Sequence, residues 1–400
     1  MAATLAEVLR RFGQAYRRSH RLSPEQGRAF AAILACRTRA LSGERLRCTA
    51  CARDHWRWHA CRSRYCPRCQ SREREAWRRA RIAELLPVPY CHLVFTLPHD
   101  LNALAVVHPR WVYDTLFTSV AATLTAFAAN PRWLGGSPAF TLVLHTWTQD
   151  LRPHLHVHAL MACGAMASGE QGEPRWRAPQ RKPSFLFPVH ALSRVFRGKF
   201  LDALRAAEAA GDLPRDPAAT PALRRARMLK VRRHDWVVYA KTPLAGPAVV
   251  LDYLSRYTHR TAIGNERILA VDEHGVRLRV RDRDHRRAKA SVLIDGVQFV
   301  GRFLQHVLPR GFKRIRHYGL LAPAAKAQRL AAARAALAMP APHPQALEDA
   351  ARFMRRVAAI DITRCSHCGL GQLLLIEVLA PLRSRPWCPR PRSVMCRGPP

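Results

Sequence analysis

Two cysteine pairs, Cys48-x2-Cys51 and Cys66-x2-Cys69, stand fourteen residues apart near the start of this 400-residue chain. A Cys-x2-Cys turn aims two thiolates at one point, and two such turns close a tetrahedral structural zinc site. The spacing therefore predicts a small Zn²⁺-closed module over residues 36–88, held by Cys48, Cys51, Cys66 and Cys69. Cys36 and Cys61 lie in the same stretch and are left for a second or enlarged metal site, or for packing. Cys365-x2-Cys368 has no second knuckle near it in sequence, and Cys388 and Cys396 fall in a Pro/Arg-rich end.

Charge narrows the partner. Lys+Arg number 66 against 28 Asp+Glu, a net charge of +38, which is too lopsided for an ordinary enzyme of small metabolites and points to a polyanion. Only seven of the 66 are lysines. Between and after the cysteine pairs, arginines including Arg62, Arg64 and Arg68 alternate with Trp56, Trp58 and Trp77, which supplies guanidinium groups for phosphate and rings for base stacking. A solvated basic face is the duller reading of the same residues. No apolar run is expected to span a membrane, and residues 1–18 lack a signal-peptide core. These features predict a cytoplasmic protein, associated with the nucleoid when on DNA. In that compartment twelve cysteines are expected as ligands or buried residues, not as a disulfide framework.

Two further patterns bear chemistry. Pro153-His154-Leu155-His156-Val157-His158 places three imidazoles at alternate positions, so in a strand they share one face while Leu155, Val157 and Ala159 share the other. Neutral imidazole is a common metal ligand, although three solvent-facing histidines would show the same spacing. About 100 residues on, Pro247 opens an apolar stretch in which Tyr253 and Tyr257 are four apart, one turn along the same helical face. Hydrophobic periodicity predicts strands at 91–97, 140–147, 154–163 and 236–240, helices at 109–129 and 190–210, and a surface loop over the Gly-, Pro- and charge-rich 164–183. Short strands follow to Ile294, then an apolar helix through Phe299 and Phe303 and an Ala/Arg-rich helical stretch over 321–360. The chain divides into N-terminal helices (1–35), the zinc module (36–88), a catalytic domain (89–320) and a helical, basic tail (321–400).

His156-Val157-His158 resembles the His-hydrophobic-His motif of HUH single-strand endonucleases, and Tyr253-x3-Tyr257 the paired tyrosines of their two-tyrosine class. LHTWTQDLRPHLHVHALMACG, VVYAKTPLAGPAVVLDYLSRYTHRTAIGNERI and RFLQHVLPRGFKRIRHYGLLA are similar to stretches of the insertion sequence 91 family transposases, as is the cysteine-rich module to that family's zinc-binding domain. The resemblance runs from about Cys36 to Ala322. It implies an α+β fold, an antiparallel HUH/Rep-like sheet flanked by helices and preceded by a zinc domain. It implies that His156 and His158 hold Mg²⁺ or Mn²⁺, with a His154/His156 register as the alternative, and that Tyr253 and Tyr257 are the nucleophiles. His154, His92, Gln149 and His259 compete for the third ligand position, and Arg256 and Arg260 join Arg62, Arg64 and Arg68 as candidate DNA contacts. The implied activity is nicking and transfer of single-stranded DNA at insertion-sequence ends through 5'-phosphotyrosine. A plasmid replication initiator or relaxase, and a non-catalytic zinc-containing DNA-binding remnant, are the alternatives.

Overall fold

A computed structural model of the chain describes residues 3–82, 84–180, 186–213, 220–241, 249, 262–280, 290–340 and 348–382. Its centre is an antiparallel sheet built on three long neighbouring strands: β3 (Tyr90–Thr96), β4 (Ser137–Trp147) and β5 (Pro153–Ser168). β5 lies between the other two, with β7 (Val238–Ala240) outside β3, β11 (Ile315–Gly319) outside β4, and β6 (Pro174–Arg177) pairing the far end of β5. The period-2 alternation sorts the side chains. Leu93 and Phe95, Leu142 and Leu144, and Leu155, Val157, Ala159 and Met161 all enter one core, where the helices Pro109–Ala129 and Val189–Ala210 cover them. Leu192, Phe196, Phe200 and Leu204 recur at helical spacing and form the buried stripe of the second helix, which Gly211 ends in a left-handed conformation. His154, His156 and His158 consequently belong to the opposite face.

Three expectations change. The stretch from 164 is not all loop: β5 continues to Ser168 and turns back through β6. Gly164 permits this, because its φ of +148° and the Trp176 indole, 2.5 Å from where a Cβ would stand, leave room only for glycine. The helix Pro109–Ala129 is long and apolar enough to cross a bilayer by length and composition. It is instead packed on the sheet, with Val112, Leu116, Phe117, Val120 and Leu124 buried in its core. The third change concerns the chain ends. The N-terminal helices Leu5–Ser19 and Pro24–Ala35 pack with the helix Gly296–Leu304 and the small sheet β8 (Ile268–Asp272), β9 (Gly275–Val280) and β10 (Ala290–Ile294) in one second core.

The tail is likewise no separate helical appendage. After the helices Lys326–Ala336 and Ala350–Ala358, the chain returns to the cysteine-rich module and adds a strand, β12 (Leu373–Leu379), to the free side of β1 (Gly43–Cys48), which pairs β2 (Asp54–Trp58) on its other side.

Candidate metal and catalytic site

On the sheet face opposite the main core, His145 of β4 meets His156 and His158 of β5, and their ligand nitrogens all lie within 4.8 Å of one another. Register brings them together: His145 is the direct antiparallel partner of His156. Alternation then sets His158 on the same face as His156, with ring centroids 4.9 Å apart, and His145 lies 4.5 Å from His158. The rings stand at steep angles, 66° to 78°, so they converge edge-on instead of stacking. His145 and His156 are almost fully buried.

Neighbours orient the rings. The Nδ1 of His156 lies 2.9 Å from the His154 carbonyl, an acceptor, so that nitrogen bears the proton and Nε2 has the lone pair. The Nδ1 of His158 lies 2.9 Å from Nε2 of His92 on β3. Burial, with Lys241 and His156 adding to it, pushes His92 down to about 4 and so keeps it neutral; in the tautomer protonated at Nδ1, its Nε2 accepts from His158. Both β5 imidazoles are thereby disposed to ligate through Nε2. His92 thus positions a ligand, and His154, whose Nδ1 lies 3.1 Å from His99 Nε2, is not a member of the cluster. The third member of the cluster is His145, which was not among the four candidates. It lay inside the motif-bearing stretch, eleven positions before His156, and only strand pairing relates the two.

The cysteines are distributed otherwise than their spacing indicates. Cys48 and Cys51 do not close on Cys66 and Cys69. Cys36, Cys61, Cys66 and Cys69 form one cluster, and Cys48 and Cys51 join Cys365 and Cys368 in another. The β1–β2 hairpin is the reason. Cys48 and Cys51 sit at its tip while Cys36 and Cys61 flank its base, and five strand residues separate the ends by about 17 Å at roughly 3.3 Å per residue. In the base cluster Cys69 Sγ lies 3.6 Å from Cys36 Sγ and 3.7 Å from Cys61 Sγ. Tetrahedral zinc with bonds of about 2.3 Å requires sulfur separations of about 3.8 Å, so the set fits Zn²⁺. Without a cation the thiols compete for protons: hydrogen bonds from Cys61, Cys66 and Cys69 pull Cys36 far down, while the same crowding drives Cys66 far up. A divalent ion resolves that conflict by taking all four as thiolates.

Of the arginines, Arg64 is built into the fold: it donates to the Phe312 carbonyl at 2.8 Å and to the Tyr65 hydroxyl at 3.1 Å. Arg68 is exposed, with one long contact to the Cys36 carbonyl, and Arg62 is exposed in a left-handed conformation. Tyr253, Tyr257, Arg256, Arg260 and His259 lie outside the described residues.

A family model described as "Putative transposase" matches residues 139–329, which include all three clustered histidines, and one described as "Transposase zinc-binding domain" matches residues 8–97. The chain is similar to "Putative transposase y4qJ" of Sinorhizobium fredii, with 40% identity over 96% of this chain and 97% of the relative. It is similar also to the "Transposase for insertion sequence element IS801" of Pseudomonas savastanoi pv. phaseolicola, at 28% identity over 84% and 80% of the two chains. Among solved structures, a conjugative relaxase TrwC in complex with OriT DNA matches 42% of this chain and 70% of its own at 15% identity, with a TM-score of 0.22. The two family models and the relatives make the chain a transposase, with a zinc-binding module ahead of an α+β domain that holds the histidine cluster. The chain belongs to the insertion sequence 91 family of transposases.

Proposed function

We propose that the chain cleaves and rejoins single-stranded DNA at the ends of its insertion sequence by the rolling-circle route, with Tyr253 and Tyr257 as nucleophiles and a divalent ion held by His145, His156 and His158. The observation that carries the reading is the convergence of the three imidazoles in a chain of this family. Three nitrogen donors suit Mn²⁺ or another nitrogen-tolerant ion better than Mg²⁺, which prefers oxygen. When bound, such an ion polarises the scissile phosphate and offsets the charge that develops on it. Three protein ligands would leave such an ion coordination positions for phosphate oxygens.

In the cleavage step a tyrosine Oη, losing its proton, attacks phosphorus; the bond to the 3' oxygen breaks and that oxygen takes up a proton. The products are a 5'-phosphotyrosine and a free 3' hydroxyl, and attack by a 3' hydroxyl on the phosphotyrosine restores the diester and the tyrosine. The second tyrosine allows a further transfer while the first remains linked. The exposed arginines and the net charge of +38 supply the sequence-independent part of DNA binding.

The test is incubation of the full chain with Mn²⁺ and a labelled oligonucleotide bearing an element end, read as a covalent adduct in denaturing electrophoresis. Wild type is expected to form it and Tyr253→Phe/Tyr257→Phe to lose it. An adduct undiminished in the double variant refutes the assignment.

A further inference from the structure

Cys365-x2-Cys368 looks solitary in sequence, yet it lies against a pair that precedes it by more than 300 residues. Cys48 Sγ is 3.6 Å from Cys368 Sγ, and Cys51 Sγ is 3.8 Å from Cys365 Sγ, the separations that tetrahedral zinc–thiolate geometry requires. The two turns are near copies of one another. In each, the residue after the second cysteine has a left-handed conformation (Ala52 at φ 55°, Gly369 at 70°) and donates its N–H to the carbonyl of the first cysteine, at 3.1 and 2.9 Å. The amides of Ala50 and Cys51 point at Cys48 Sγ from 3.4 and 3.5 Å, which favours a thiolate there.

The turns are also fitted to each other. Thr49 N–H donates to the Gln372 carbonyl and Gln372 N–H to the Thr49 hydroxyl, both at 3.0 Å. Gly371 passes so close to Cys48 Sγ, 2.3 Å from where a Cβ would stand, that a larger residue would displace the sulfur.

Beside its backbone ladder to β1, the C-terminal strand has little side-chain packing to hold it in place. Along β12, Leu374, Leu375, Ile376 and Val378 remain between 47% and 65% exposed, so burial of apolar surface contributes little. The ion pairs Arg45–Glu377 and Arg356–Glu75 involve partly exposed groups of the kind that contribute little. Zinc binding, by contrast, supplies folding free energy directly.

We infer that Cys48, Cys51, Cys365 and Cys368 form a second structural zinc site, distinct from the Cys36, Cys61, Cys66 and Cys69 cluster, which closes a zinc ribbon made from both ends of the chain. The strand order β12-β1-β2 with a knuckle at each half is the whole of that ribbon. A chain that ends before Cys365 therefore leaves half of the site open, and its N-terminal module is incomplete. The site is independent of the proposed nuclease chemistry, and its test does not read activity.

The full-length chain is loaded with Co²⁺ and the thiolate-to-cobalt charge-transfer absorbance is measured, a signal blind to the histidine site. Wild type is expected to show two four-thiolate centres per chain, and Cys365→Ser/Cys368→Ser one, with trypsin gaining access to the arginines between 350 and 382. Cys48→Ser/Cys51→Ser is expected to expose the same C-terminal arginines. Cys368→His, which keeps a zinc-binding donor, is expected to retain both the second metal and the protection. One thiolate centre in wild type, which needs no variant to fold, overturns the inference; so does an unchanged cobalt signal in Cys365→Ser/Cys368→Ser.

Discussion

Single residues show how the sheet turns ordinary histidines into different devices. His145, His156 and His158 converge, His92 orients one of them, and His154 pairs elsewhere. His306 serves only the fold: buried, it contacts the Leu151 carbonyl through Nε2 at 3.0 Å and Thr146 Oγ1 through Nδ1 at 3.1 Å. Burial pushes it down from the ordinary 6.5 to about 4. A histidine kept neutral in the folded chain costs nothing above the unfolded value; as pH falls from about 6.5 to about 4 the unfolded chain takes up a proton that the folded chain refuses. Stability is lost across that window, by about 3 kcal/mol at its lower end. His306→Gln, whose amide can still donate to Leu151, is expected to shrink the drop in urea midpoint between pH 7 and 4.5. Parallel drops in wild type and variant would show that His306 does not titrate this way. The alternation of His154, His156 and His158 was plain from the residues alone. His145 was not, because a partner on the next strand is chosen by register, which no local pattern records.

At the level of elements, the periodic ones were readable and the paired ones were not. The helices at 109–129 and 189–210 and the strands around β3, β4 and β5 follow from apolar spacing that each element displays by itself. β6 was hidden among glycines, prolines and charges, since a short strand extending a hairpin needs no hydrophobic stripe of its own. The zinc ribbon was hidden for the same kind of reason. Cys-x2-Cys pairs advertise a metal, but which pairs join depends on a hairpin length and on a strand arriving from the far end of the chain. The helix Val189–Ala210 gives a test of the core behind the site. Phe196 is fully buried, edge-on to Phe95 of β3 at 5.3 Å and to Trp236 at 5.1 Å. Phe196→Ala is expected to cost about 3–5 kcal/mol in urea unfolding. A cost below about 1 kcal/mol would mean that this helix does not hold the sheet as described.

For the whole molecule, one sheet has two jobs on its two faces. One face buries a continuous apolar core under helices, against which β3, β4 and β5 pack. The other holds the histidines, with apolar clusters beyond them: Tyr90, Ala139, Leu160 and Ala162 with the helix Lys326–Ala336 toward one end, Trp147 and Leu151 with the N-terminal helices toward the other. A packed core behind the imidazoles and apolar clusters beside them suit the proposed metal-assisted phosphoryl transfer, because positioning supplies much of the rate of such a reaction. Charge on the same chain brings the polyanion. If His145 completes the proposed metal site, adduct yield against Mn²⁺ concentration will separate wild type from His145→Ala on the same element-end oligonucleotide. His145→Ala is expected to bind the oligonucleotide as wild type does, yet to form adduct only at Mn²⁺ concentrations at least tenfold higher, or not at all. Adduct formation by His145→Ala at the wild-type Mn²⁺ requirement would contradict it.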